Sequence, residues 1–117
     1  MALRIKIRNP QLLVETIKKN IDSGDITTWS YDEEGDFTCT TDRWKEKAWF
    51  TPYYNDSEDE LYFGILGRKG VDMTIEEFSV FHGDFVKMLL RHFFYDVDNI
   101  EILTPNNNSY DTKRIEY

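Results

Sequence analysis

The sequence predicts an α+β domain, with two helices packed on one face of a mostly antiparallel sheet in the order β-α-β-β-β-β-α-β. Three observations predict it. Leu3, Ile5 and Ile7 alternate with Arg4, Lys6 and Arg8, the period of a strand with one apolar face. Four strand-like segments between residues 26 and 66 are joined by connections too short for parallel crossovers. Phe78, Phe81, Phe85, Met88, Leu89 and Phe93 form an apolar stripe at helical spacing.

The first strand ends at Asn9-Pro10, which reads as a helix start. Asn can cap, and Pro suits the first helical position because its missing N–H has no partner there anyway. Leu13, Val14, Ile17 and Ile21 continue at helical spacing to an exit marked by Lys18, Lys19 and Gly24, giving a first helix over residues 10–23. Ile26 to Tyr31 and Phe37 to Thr41 read as the arms of a hairpin, with Gly35 in the turn available for positive φ. Ala48 to Tyr54 and Leu61 to Leu66 follow, separated by the polar loop Asn55 to Glu60. Thr74-Ile75-Glu76-Glu77 is a capping box, and Met73 and Phe78 stand at the positions of a hydrophobic staple. Beyond the second helix, Asn99 to Leu103 reads as a short strand and Pro105 to Ser109 as a polar turn.

A single domain of 117 residues is expected, with no repeat or linker to divide it. Aromatics make up 15% of the chain, enough to build a core without disulfides or metal. Cys39 is the only cysteine, so an intramolecular disulfide is excluded and a reducing cytoplasm is the expected compartment. Residues 1–10 lack the apolar run of a signal peptide. The longest apolar stretch, Val86 to Tyr95, is interrupted by Lys87, Arg91 and His92 and is too short to span a bilayer.

Net charge is −8, and residues 25–60 alone account for a net −8. An acidic centre repels phosphate backbones and anionic lipid, which disfavours nucleic acid and membrane surfaces and suits a basic protein partner. Acidity of this kind also serves solubility alone.

No catalytic motif is legible. His82 and His92 lie ten residues apart on one helix, about 80° apart around its axis and roughly 15 Å along it, too far to share a metal or proton. Asp36 and Asp42 flank Cys39 and disfavour a thiolate. The acidic segments 32–36 and 55–60 lie between strands and lack the ligand spacing of a calcium loop. No enzyme, metal or cofactor is expected. The basic turn Gly67-Arg68-Lys69-Gly70 lacks phosphate-loop spacing and reads as a plain turn.

The aromatic set within the meander carries the functional expectation. Alternation puts Trp29 and Tyr31 on one face of their strand, and Trp49 and Tyr53 on one face of theirs, with Phe50 and Tyr54 opposite. The chain is therefore read as a non-enzymatic protein-interaction domain. Trp29, Tyr31, Trp49 and Tyr53 are the expected anchors, and Asp32, Glu33, Glu34, Asp56, Glu58 and Asp59 the acidic rim. Coverage of that aromatic surface by a second copy, a homodimer, stays open. The size, acidity and aromatic-rich pattern resemble in type, though not in motif, many small bacterial proteins, immunity proteins that neutralise toxins among them. The alternative is a small-molecule site between the second helix and the sheet, lined by Phe81, His82, Phe85 and His92.

Overall fold

Strand β1 (Leu3–Lys6) buries Leu3 and Ile5 and turns Arg4 and Lys6 to the other side, as its alternation requires. The computed structural model describes residues 2–104, the side chain of Asp56 excepted; the turn expected at residues 105–109 and the tail beyond it lie outside the described residues. Helix α1 (Pro10–Ser23) follows, then β2 (Trp29–Tyr31), β3 (Phe37–Cys39), β4 (Ala48–Asn55), a 3-10 turn at Asp56–Glu58, β5 (Glu60–Gly67), helix α2 (Ile75–Phe93) and β6 (Asn99–Ile102). The six strands form one sheet in the order β2-β3-β4-β5-β1-β6, with every neighbouring pair antiparallel. The β2–β5 segment is the expected meander. Strand β1 then pairs with the last strand of that meander and is itself covered by β6.

Both helices lie on the face that carries Trp29, Phe37, Phe50, Leu61, Phe63 and Ile65, all at most 1% exposed. Phe85 of α2 sits at the centre of this layer. Its ring centroid is 4.7 Å from Phe50, 4.8 Å from Trp29 and 4.8 Å from Phe63. The Trp29 and Phe63 contacts are edge-to-face, the arrangement that aromatic quadrupoles favour. Leu13, Val14 and Ile17 of α1 complete the core from the other helix.

The start of α2 is fixed as its sequence implies. The Glu77 N–H donates to Thr74 Oγ1 at 3.0 Å, and the Thr74 N–H donates to Glu77 Oε1 at 2.9 Å. Met73 and Phe78 both pack against the core. The other oxygen of Glu77 accepts from Arg68 Nη2 at 2.9 Å, so the basic turn after β5 is tied to the helix start and its arginine is spoken for. Such a half-buried charge pair anchors geometry more than it adds stability.

Helix α1 starts differently from the expectation. Asn9 occupies the cap position with φ 60°, and its side chain makes no capping hydrogen bond. The Ile7 N–H is still bonded to Asp59 O at 2.9 Å, so the chain must leave the sheet and enter the helix within about two residues. Asn tolerates the left-handed backbone this needs. At the far end Gly24, φ 87°, donates its N–H to Ile21 O and stops the helix. The hairpin arms are also shorter than expected. Residues 26–28 bring the chain round from α1 instead of lying in the strand, with Ile26 in the core and its N–H bonded to Asn20 O at 2.9 Å. Among the described residues no helix is long and apolar enough to cross a membrane.

Phe85→Ala should be the most damaging single truncation in α2, costing about 3–5 kcal/mol through the lost ring and the cavity it leaves. Thr74→Ala should cost about 1 kcal/mol. Urea unfolding midpoints measure both, and a Phe85→Ala loss no larger than that of Thr74→Ala would contradict the packing described.

Candidate functional site

The sheet face opposite the helices is built from the outward residues of β1, β4, β5 and β6. Register sets their neighbours. Tyr53 stands directly across from Tyr62, Trp49 from Leu66, and Thr51 from Gly64. Tyr62 in turn faces Arg4, which faces Glu101. The result is an aromatic and apolar strip of Trp49, Tyr53, Tyr62 and Leu66 bordered by charged side chains. Tyr53 is 43% exposed, and Trp49, Tyr62 and Leu66 are half-buried.

The charges on this face are arranged in pairs. Arg4 forms an ion pair with Glu101, which raises the guanidinium pKa further, helped by a hydrogen bond with Tyr62. The Tyr62 hydroxyl donates to Glu60 Oε1 at 2.7 Å, and that bond holds the Glu60 carboxyl below the usual carboxylate range while raising the phenol. Lys6 adds a favourable charge beside the same carboxylate. The centre of the face is therefore close to electrically neutral.

Its acidity sits at one end. Strands β3 and β4 are antiparallel, with Phe37 opposite Phe50, so the β2–β3 turn and the β4–β5 turn project from the same end of the sheet. Asp32, Glu33 and Glu34 occupy the first and are exposed; Glu58 and Asp59 occupy the second and are exposed. Gly35, φ 83°, makes the first turn possible. Asp32 Oδ1 accepts from the N–H groups of Glu34 and Asp36, both at 3.0 Å, and Asp36 accepts from the Thr51 hydroxyl at 2.8 Å on the open face. Carboxylate oxygens of Asp32, Glu34 and Asp36 come within 4.8 Å of one another, the only such acidic trio among the described residues. Asp32 holds the turn through those two N–H groups and Asp36 ties it to β4 through Thr51, so hydrogen bonds place both carboxylates here.

Two of the four expected anchors belong elsewhere. Trp29 is 1% exposed and packs against Phe81 and Phe85, so it is a core residue on the helix side. Tyr31 shares that side. Its hydroxyl donates to the Asp22 carboxylate at 2.8 Å, and Lys18 Nζ lies 5.4 Å from its ring centre, so it ties β2 to α1. The Asp22 bond raises the Tyr31 phenol pKa. Trp49 and Tyr53 keep the open face, and the structure adds Tyr62 and Leu66 to them. Cross-strand pairing joins these two to Trp49 and Tyr53, and the register follows from where the β4–β5 turn closes.

The pocket expected at Phe81, His82, Phe85 and His92 is not assembled. Phe81 and Phe85 are fully buried in ring contacts and His82 is 2% exposed, whereas His92 faces a groove on another side of α2. His82 stacks on Phe78 with centroids 4.0 Å apart, and its Nδ1–H donates to Phe78 O at 2.8 Å in the neutral tautomer. Its Nε2 is buried without a hydrogen-bond partner. Burial pushes the His82 pKa down to about 4, against a smaller opposing pull from the Phe78 and Ala2 backbone. No known family model, curated protein or solved structure matches this chain.

A histidine held neutral in the fold makes stability depend on pH. Below the ordinary pKa of 6.5 the unfolded chain takes up a proton that the folded chain refuses until about pH 4. Stability should therefore fall as pH drops from 6.5 towards 4, by about 3 kcal/mol from this residue. His82→Leu should flatten that part of the profile. Urea titrations at pH 7 and pH 4.5 compare the two chains, and parallel losses in both would show that His82 is not responsible.

Proposed function

We propose that this chain is a non-enzymatic protein-interaction domain that docks a basic protein surface onto its open sheet face. The observation that carries the reading is the strip of Trp49, Tyr53, Tyr62 and Leu66, which faces outward beside an acidic end. A tryptophan and tyrosines supply large contact area with few rotatable bonds, and such residues dominate the energetics of protein interfaces. Around them, Asp32, Glu33, Glu34, Glu58 and Asp59 form a solvated rim on one side. Rim carboxylates accelerate encounter with a basic partner and orient it more than they tighten the final complex.

The local chemistry favours a protein over other ligands. Single-stranded nucleic acid needs cations beside its stacking platform, and here Arg4 is held by Glu101 while the nearest turns are acidic. The Arg4–Glu101 ion pair and the Tyr62–Glu60 hydrogen bond beside the strip also lower the desolvation cost of docking.

A photo-reactive residue at position 53 tests the reading in cells, with the same residue at Lys19 on α1 as the control. Position 53 should yield a crosslink to a protein of basic character, and position 19 should not. In the purified complex, Trp49→Ala should weaken binding by roughly 30-fold, about 2 kcal/mol. Glu33→Lys with Glu34→Lys should slow association several-fold and have little effect on dissociation. Crosslinking of position 53 only to a second copy of the chain, together with a dimer that Trp49→Ala dissociates, would replace this reading with a homodimer face.

A further inference from the structure

On the opposite side of the sheet, α2 and the chain leaving α1 enclose a groove of about 360 Å³. That volume lies within the range of small-molecule sites. One wall is a single face of α2, because Asp84, Lys87, Arg91 and His92 fall at positions i, i+3, i+7 and i+8. The other wall is Thr27 and Thr28, which β3 fixes in place. The Thr40 hydroxyl donates to Thr27 O at 2.7 Å, and the Thr40 N–H donates to Thr28 O at 3.0 Å. Cys39 and Met88, 2% and 3% exposed, form an apolar floor.

The side chains along this groove include charges of both signs. Lys87 and Arg91 form no ion pair among the described residues, in contrast to Arg4, Arg43, Lys45 and Arg68, each of which has a carboxylate partner. Thr27, Thr28 and Thr41 line the same space. Two carboxylates also reach it. Asp25 accepts from Ser23 Oγ at 3.2 Å, and Asp84 lies about 10 Å along the helix axis from Arg91. The groove thus has two cations without an ion-pair partner among the described residues, Lys87 and Arg91, one turn of α2 apart, with Asp84 a turn before Lys87. We infer that it is a binding site for a small molecule carrying a carboxylate or phosphate group, with Lys87 and Arg91 holding the oxyanion and the Cys39–Met88 floor accepting a short apolar part. Arg and Lys four residues apart on one helix face can contact one such group together, and Arg can do so through two parallel hydrogen bonds. The site is independent of the open sheet face, from which the whole sheet separates it.

Two-dimensional NMR of the folded chain, titrated with acetate or inorganic phosphate at constant ionic strength, tests the assignment. The amide signals of residues 87–92 and of Thr27 and Thr28 should shift together and saturate, and whichever anion saturates at the lower concentration identifies the oxyanion class. Lys87→Gln with Arg91→Gln, both on exposed positions, should abolish those shifts while the circular dichroism spectrum is unchanged. Shifts that do not saturate with either anion, or saturation that survives the double substitution, would overturn the assignment.

Discussion

The burial of Phe85 between Trp29, Phe50 and Phe63 is the contact on which the rest of the molecule depends. These three rings come from three strands, and one helical side chain meets them all. Each buried ring removes roughly 150–250 Å² from water. Once α2 is committed to this face, every residue one step along each strand is directed to the other face. The open aromatic strip is a consequence of that choice, because Trp49 adjoins Phe50 and Tyr62 adjoins Phe63.

The orientation of α2 is set at its start. The capping box fixes where the helix begins, and the Arg68–Glu77 pair fixes the preceding turn against it. A helix held at that end and packed through Phe81 and Phe85 presents Asp84, Lys87, Arg91 and His92 to the chain leaving α1. The core thereby defines two surfaces of different character on opposite sides of the sheet. One is aromatic with an acidic end; the other is a polar groove whose lining includes Lys87 and Arg91.

Much of the fold is legible in local sequence. Leu3, Ile5 and Ile7 mark a strand by their period, Gly24 and Gly35 mark reversals, and Thr74 with Glu77 marks a helix start, because each signal needs only near neighbours. Strand order is different. Nothing near Leu3 states that β1 pairs with β5 and β6, since that contact is made across most of the chain. The faces of individual strands are equally legible, and alternation alone groups Trp49 with Tyr53. Which face the helices cover is not legible, and so Trp29 and Tyr31, alike in composition to Trp49 and Tyr53, read from sequence as part of a surface they do not share. His82 and His92 show the same limit, for only packing separates a histidine stacked on Phe78 from one lining a groove.

Hydroxyl-radical footprinting of the free chain in solution tests the division between the two faces most directly, since it reads individual rings. The structure requires Tyr53 to oxidise readily and Trp49 to oxidise faster than Trp29, while Trp29, Phe50 and Phe85 stay protected until the chain unfolds. Oxidation of Trp29 at a rate comparable to Trp49 in the folded chain would contradict the central claim, because it would place the two tryptophans in one environment.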